Sequence, residues 1–402
     1  MKRILNYMLY ASLLLSISCN HLSNTAVADY SNVTEIQYDN NKENLIGIDQ
    51  IVDGCSFVRL KTDKSSLIGK IDQLLLCDSF IVVVDKHIAK SILVFNYDGD
   101  FLNRISRLGN GHGEYLIINH VALNEKNEVC ILDNMRGRIT YFDITGRFVS
   151  SQDLPFRSVK MEFLDKEDIL FDVENCSAIR GNKRVIEKSC YVLTDSNLRI
   201  KSAFGDDHSY NNPSFQLFTE DYLKADGKIY FRIDHGNTIF EVDRDTLRAR
   251  YELSLKDEIL YAPTIEDLST PGLYTENRLR LPSFSGCFFL CKDYSCYKML
   301  FPERENLYTW FFKSNDTGKI LTLSTETDDP VLSKFYNPLA RWSDNTLVQD
   351  ISPTMLLSHK DEIIENSIIE NPETLFDGLS LEDNPVLFFY TFNINKADTK
   401  DD

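Results

Sequence analysis

The chain is poor in the residue patterns from which active sites are usually read. Its seven histidines are scattered and form neither His-x-His nor His-Glu-x-x-His, so the common zinc signatures are missing. Nine cysteines contain no Cys-x-x-Cys. The one cluster, Cys287, Cys291 and Cys296, has spacings of four and five with no histidine beside it, so no metal site is expected there. A disulfide within that cluster, or between Cys176 and Cys190, stays open. There is no Gly-x-Ser-x-Gly nucleophile elbow, and no cofactor motif is recognised. Positive charge is scarce. Lys and Arg total 43 against 61 Asp and Glu, and the net charge of −18 argues against a nucleic-acid partner and against adhesion of the bare protein surface to anionic lipid. The longest N-terminal apolar stretch, Ile4 to Ile17, is too short for a comfortable membrane span.

What the chain does contain is a repeated phrase. Phe80-Ile-Val-Val-Val-Asp85 is followed by Ser91-Ile-Leu-Val-Phe-Asn-Tyr-Asp-Gly99. The pattern returns as Glu128-Val-Cys-Ile-Leu-Asp133 and Gly137-Arg-Ile-Thr-Tyr-Phe-Asp-Ile-Thr-Gly146. Asp85 and Asp133 are 48 residues apart, and Gly99 and Gly146 are 47 apart. Each copy has a continuous apolar run, as for a strand buried on both faces, then a second strand, a Gly turn and a third strand. A fourth is expected just upstream, around Leu74 or Val121. Fainter copies run through Asp168–Asp172 and Tyr191–Asp195, then Lys228–Asp234 and Thr238–Asp243, then Cys287, Leu307–Phe312 and Thr317–Leu323. A period of roughly 50 to 60 over residues 51–395 gives about six units. The expected fold is therefore an all-β, six-bladed β-propeller with four-stranded antiparallel blades. Two hairpins in another all-β fold are the alternative.

The segments outside the repeat have their own signatures. Lys2 and Arg3, the apolar stretch and small residues leading to Cys19 resemble a bacterial lipoprotein signal, with Ser16 where Leu is usual. This predicts a signal peptide over 1–19, lipidation at Cys19 and a membrane-anchored place in the bacterial cell envelope. Ordinary secretion without a lipid is the alternative. Residues 20–50 are polar and read as a flexible tether. Residues 352–376 switch to helical spacing and predict a small helical insertion near the C-terminus. Residues 261–284, with three prolines, read as a long loop, and 396–402 as a disordered tail. Val386 to Phe392 is expected to pair with the N-terminal strand near Ser56 to Leu60 and close the ring.

Candidate ligand-face residues follow from position. His112, Glu114 and Tyr115 lie in the densest glycine stretch, Leu108-Gly-Asn-Gly-His-Gly-Glu-Tyr115, which also fits a crossover between blades. Asp85, Asp133 and Asp234 recur at one blade position, either to accept backbone N–H groups or to ring one rim. The segments Phe57–Leu60, Leu67–Ile71, Arg107–Tyr115, Val129–Asp133, Tyr141–Phe148 and Asp383–Phe392 together resemble the six-bladed propeller lipoproteins of Bacteroides-type bacteria, relatives of the NHL-repeat propellers. That resemblance implies architecture and no catalytic residues. The leading functional expectation is a binding module for a glycan or protein partner. The alternative is a glycan- or peptide-acting hydrolase or lyase with carboxylates or a metal at the channel mouth. A third is a structural subunit of an uptake complex.

Overall fold

The structure is a computed structural model that describes residues 28–39, 44–173, 178–181, 183–186, 189–204, 222–232, 236–243, 246–264, 266–267, 270–303 and 307–398. Six antiparallel sheets form the blades of a propeller. Blade 1 contains Gln73–Cys77, Phe80–Asp85, Ser91–Phe95 and Phe101–Ile105. Blade 2 contains His120–Leu123, Val129–Asp133, Arg138–Phe142 and Phe148–Asp153. Blade 3 contains Lys160–Phe163, Asp168–Asp172, Tyr191–Asp195 and Ile200–Phe204. Blade 4 runs from Leu223–Ala225 through Lys228–Arg232 and Thr238–Asp243 to Thr246–Leu255. Blade 5 runs from Ser283–Leu290 through Tyr294–Leu300 and Tyr308–Ser314 to Ile320–Ser324. Blade 6 contains Ala340–Ser343, Thr346–Ile351 and Val386–Phe392, completed by the N-terminal strand Val52–Arg59.

The apolar runs in the sequence have a direct physical meaning. Side chains alternate across a strand. In Phe80–Asp85, Ile81 and Val83 pack into a core shared with Val348, Leu387 and Phe389 of blade 6. Val82 and Val84 pack into a second core with Val121, Val129 and Ile131 of blade 2. Cys130 and Leu132 turn the other way, toward Met161, Ile169 and Phe171 of blade 3. Every blade face is thus covered by the next blade, so the middle strands are apolar on both faces apart from a few buried polar side chains such as Thr140, Thr194 and Lys298.

Ring closure follows the expected pairing. Val386 sits opposite Arg59 and Tyr390 opposite Cys55 in antiparallel register. The third strand of blade 6 comes from the C-terminus and the fourth from the N-terminus. The turn at Gly99 shows how tightly blade 1 abuts this clasp. Its φ is +84°, and a Cβ there would strike the Arg59 carbonyl, a backbone atom that cannot swing aside. Lys61 N–H donates to the Gly99 carbonyl at 2.9 Å.

Three expectations need correction. First, the stretch read as a tether holds two strands. Thr34–Tyr38 adds in parallel to Thr246–Leu255, and Leu45–Gly47 adds in parallel to Ile320–Ser324, so blades 4 and 5 have five strands. Polar residues hid a period of two, in which Ile36 and Tyr38 point inward and are buried. Second, residues 261–284 hold a helix, Pro271–Arg278. Third, the first residues of the segment read as a disordered tail lie in a 3-10 helix, Ile394–Asp398, where Lys396 forms an ion pair with Asp53; residues 399–402 lie outside the described residues. The insertion after Ile351 is helical as expected, with Pro353–Ser358, Lys360–Asn366 and the 3-10 turn Pro372–Phe376. Its Leu356, Ile363 and Leu375 pack with Val331, Phe335 and Tyr390 in the core between blades 5 and 6.

Asp350, on Thr346–Ile351 of blade 6, is half-buried, and burial raises its carboxyl above the usual range, with a backbone hydrogen bond opposing the shift only in part. A raised acid favours the folded state when protonated. Its cost is absent below the unfolded pKa and complete above the folded one. Asp350→Asn is therefore expected to raise the melting temperature at pH 7 to 8. The gain should shrink as the pH falls toward about 4, the ordinary carboxylate range. Melting curves across that range check this, and a gain independent of pH would refute it.

Candidate functional site: the axial channel

The first strand of every blade lies innermost, and together these six strands line an axial channel with a volume of about 1110 Å³. Their shortness leaves little side-chain area for a shared core, and their inner edges carry backbone groups with no strand to pair. Side chains from neighbouring blades meet that need. The Gln73 side chain works as a strand substitute. Its Nε2 donates to the Val121 carbonyl at 3.2 Å, and its Oε1 accepts from Val121 N–H at 3.1 Å. The same Nε2 lies 3.1 Å from Nε2 of His120, which is 2% exposed and faces Tyr222 edge-on at 6.4 Å.

Long cations do the same for the other blades. Lys224 Nζ donates to the Phe163 carbonyl at 2.6 Å. Arg232 donates to the carbonyls of Phe284 at 2.8 Å and Ser285 at 3.2 Å. Arg341 donates to the Leu290 carbonyl at 2.7 Å and the Lys224 carbonyl at 3.5 Å. The inner strand of blade 5 carries a bulge. Phe284 pairs with Met299 and Phe288 with Tyr297, so Ser285-Gly286-Cys287 stands opposite Lys298 alone. Gly286 has φ +92°, which suits a residue without Cβ. The Lys298 ammonium is 4% exposed, lies 3.9 Å from the Tyr336 ring centroid and 4.6 Å from that of Tyr308, and donates to Asn337 Oδ1 at 3.1 Å.

Two aromatic side chains of the lining are well exposed, Tyr336 at 51% and Trp342 at 48%. The Trp342 ring is fixed by Tyr97 at 5.6 Å and Phe389 at 5.5 Å. Trp310 instead is core, with its indole N–H donating to the Tyr336 carbonyl at 3.0 Å. The channel lining carries Lys224, Arg232, Arg278, Lys298 and Arg341 against Asp72, Glu162 and Asp344. Asp72 is pulled up by burial, but its 2.8 Å contacts with Lys70 Nζ and the Lys86 N–H outweigh this and hold its carboxyl below the usual range. Asp344 pairs with Lys292 at 3.3 Å. Among the described residues the channel lining is thus cationic, within a chain of net charge −18.

The residues singled out from the sequence lie elsewhere. Asp85 is fully buried, and its carboxylate accepts from Gly69 and Lys70 N–H through one oxygen and from Ile88 and Ala89 N–H through the other, at 2.8–3.0 Å. Asp133, equally buried, accepts from Leu116 and Arg136 N–H at 2.7 and 3.0 Å. Each binds the incoming crossover to its own blade's second-to-third strand loop, so neither can present a ligand face. Asp234 lies outside the described residues, as does Cys19. The glycine-rich segment is an inter-blade crossover. Glu114 accepts from Gly111 N–H at 2.6 Å, and Tyr115 is buried with its hydroxyl donating to the carbonyls of Lys90 and Ile105. Burial pushes the Tyr115 phenol up to about 12. His112 is exposed and packs edge-on against Phe148 at 4.6 Å. None of these residues lines the channel.

Cys287, Cys291 and Cys296 form no disulfide with one another, so the bridge left open within that cluster is not made. Cys190 forms no disulfide either; Cys176 lies outside the described residues. Among the described residues no three His, Cys, Asp or Glu side chains converge as a metal site would require. No helix among them is long and apolar enough to cross a membrane.

A closed six-bladed ring around a polar, aromatic-flanked channel defines the class: a β-propeller whose inner strands carry the site. The chain belongs to the family described as "Domain of unknown function (DUF4934)", whose model matches residues 31–391. No curated protein matches it. Among solved structures it is similar to a Bacteroides fragilis chain described as an exported protein. The two are 16% identical with a TM-score of 0.69, over 90% of this chain and 100% of that one. That likeness extends to the fold. Weaker similarities include virginiamycin B lyase from Staphylococcus aureus, at 12% identity and TM-score 0.34 over 68% and 74% of the two chains. BamB from Moraxella catarrhalis follows at 10% identity and TM-score 0.36 over 86% and 91%.

Proposed function

We propose that this protein is an interaction module of the bacterial cell envelope, anchored through Cys19, whose axial channel holds a glycan or protein partner. One observation carries the reading. Trp342, pinned on the inner strand of blade 6, and Tyr336, just before that strand, present exposed aromatic rings beside polar and charged groups in a channel large enough for a ligand. Lys224, Arg232 and Arg341 are already held by backbone carbonyls, so these side chains are preorganised and lose little entropy on binding.

A thermal-shift screen of the protein against glycans, peptides and divalent metals tests this. A ligand at a hundred times its dissociation constant adds about 2.7 kcal/mol of stability, a readable shift. The expected result is a shift with one glycan or peptide class that is lost when Trp342 is changed to Ala. A ligand-induced shift that survives every channel substitution would move the site elsewhere. For the anchor, Cys19→Ala is expected to move the protein from the membrane fraction to the soluble one. Unchanged fractionation would refute lipidation.

A further inference from the structure

We infer that the channel's ligand is an acidic carbohydrate, its carboxylate or sulfate held by Arg341 and Lys224 and a sugar ring laid on Trp342; this rests on the channel being a binding site. The argument begins with charge. Arg341 reaches across the inner strand of blade 5, and its guanidinium donates to the backbone carbonyl of Lys224 at 3.5 Å, while the Lys224 ammonium donates to the Phe163 carbonyl of blade 3, so the two cations line neighbouring parts of the channel. Both side chains are held by backbone carbonyls, and among the described residues neither forms an ion pair. Arginine has five donors in a planar fork suited to a carboxylate or sulfate, and here only two contacts are taken by the backbone.

Nearby carboxylates do not cancel this pair. Of the three acids among the described lining residues, Asp344 is drawn to Lys292 at 3.3 Å and Asp72 to Lys70 at 2.8 Å, so Glu162 is the one acid set against five lining cations. In a chain of net charge −18 an anion is repelled from most of the surface. A cationic channel with low-dielectric walls is where field lines would focus it.

The carbohydrate part rests on shape. Trp342 follows Arg341 in the chain and is 48% exposed, but its ring is clamped by Tyr97 and Phe389, and Tyr97 is itself anchored by its hydroxyl donating to the Cys77 carbonyl at 2.8 Å. A rigid, half-exposed aromatic face in a channel lined by polar groups matches a pyranose, with its C–H face and peripheral hydroxyls. A peptide would instead seek an open strand edge. At this position the edge carbonyls of Leu290, Lys224 and Phe163 are already taken by Arg341 and Lys224.

The test is titration calorimetry with four probes: oligogalacturonate, heparin oligosaccharide, neutral dextran oligomers and polyglutamate. An acidic oligosaccharide is expected to bind, with affinity falling about tenfold or more between about 0.05 and 0.5 M NaCl. The Lys224→Gln/Arg341→Gln double variant should lose about tenfold or more. Because that variant could disturb the inner strands, Lys224→Gln alone, at an exposed position, serves as a second variant, with an unchanged melting temperature required of each. Neutral dextran binding as tightly as the acidic probes, or a folded double variant binding like the parent, would overturn the inference and leave the binding-module reading standing. Polyglutamate binding as tightly as oligogalacturonate would overturn the carbohydrate assignment. No binding by any of the four overturns the inference; the module reading falls only if the wider thermal-shift screen is negative as well.

Discussion

A chain truncated after Pro385 is expected to yield no folded protein. The strand removed, Val386–Phe392, is an interior strand of blade 6, paired with Thr346–Ile351 on one side and Val52–Arg59 on the other. Val386, Leu387, Phe388, Phe389, Tyr390 and Phe392 are all buried. At roughly 1.5–3 kcal/mol for each large apolar side chain, their burial contributes about 10 kcal/mol or more. A domain's whole stability is about 5–15 kcal/mol. The loss also opens two sheet edges and exposes cores on both sides of the blade, since Leu387 and Phe389 face blade 1 while Phe388 and Tyr390 face blade 5. Near-UV circular dichroism and a thermal melt decide the matter. A cooperative melt in the truncated chain would show that the ring does not depend on its clasp. Truncation after Asp398, which removes no described residue, is the control.

Asp85→Ala is expected to be severely destabilising for a single substitution. Four backbone N–H groups converge on this buried carboxylate, two from the crossover entering blade 1 and two from the loop leaving its second strand. A hydrogen bond to a charged group contributes about 1.5–3 kcal/mol, and a donor left buried and unpaired adds its own desolvation cost. Contributions at one site are not additive, so a loss of about 4 kcal/mol or more is the expected scale. Asp85→Asn keeps the shape and one acceptor oxygen, and should lose less. Chemical denaturation of both variants measures this. A midpoint for Asp85→Ala close to that of the parent would mean that water replaces the carboxylate without penalty.

These two positions also show where the sequence was legible. Asp85 and Asp133 stood out because a middle strand, buried on both faces, ends in a single charged residue. Ring closure was legible because Val386–Phe392 is apolar on both faces and had no partner of its own in the preceding repeat. The inner strands offered no such signal. Leu223–Ala225 has three residues and His120–Leu123 four, too few for a period to emerge. One of their edges faces the channel, so they mix buried and polar residues. The site is built on these strands, with one to five residues from each inner strand plus Arg232, Lys298 and Tyr308 from second and third strands. No local spacing links Gln73 to His120 or Lys224 to Arg341; only the closed ring does. Of the chain's two tryptophans, only Trp342 faces the channel. The strand Thr34–Tyr38 was missed for a related reason. Glu35 and Gln37 face outward at the rim of blade 4, so composition read as a tether what alternation would have read as an edge strand.

The path of the N-terminal segment has a mechanical consequence. Traced from residue 28 onward, the chain is attached first to blade 4, through the bridge of Asp29 to Arg248 and the strand Thr34–Tyr38. It is attached next to blade 5 at Leu45–Gly47, and only then to the clasp of blade 6 at Val52–Arg59. A pull on the segment preceding residue 28 would therefore have to peel the strap from two blades in turn before any load reached the strand that holds the ring shut. Tension arriving from that end would be spent on two sacrificial edge strands, while the channel behind them kept its shape.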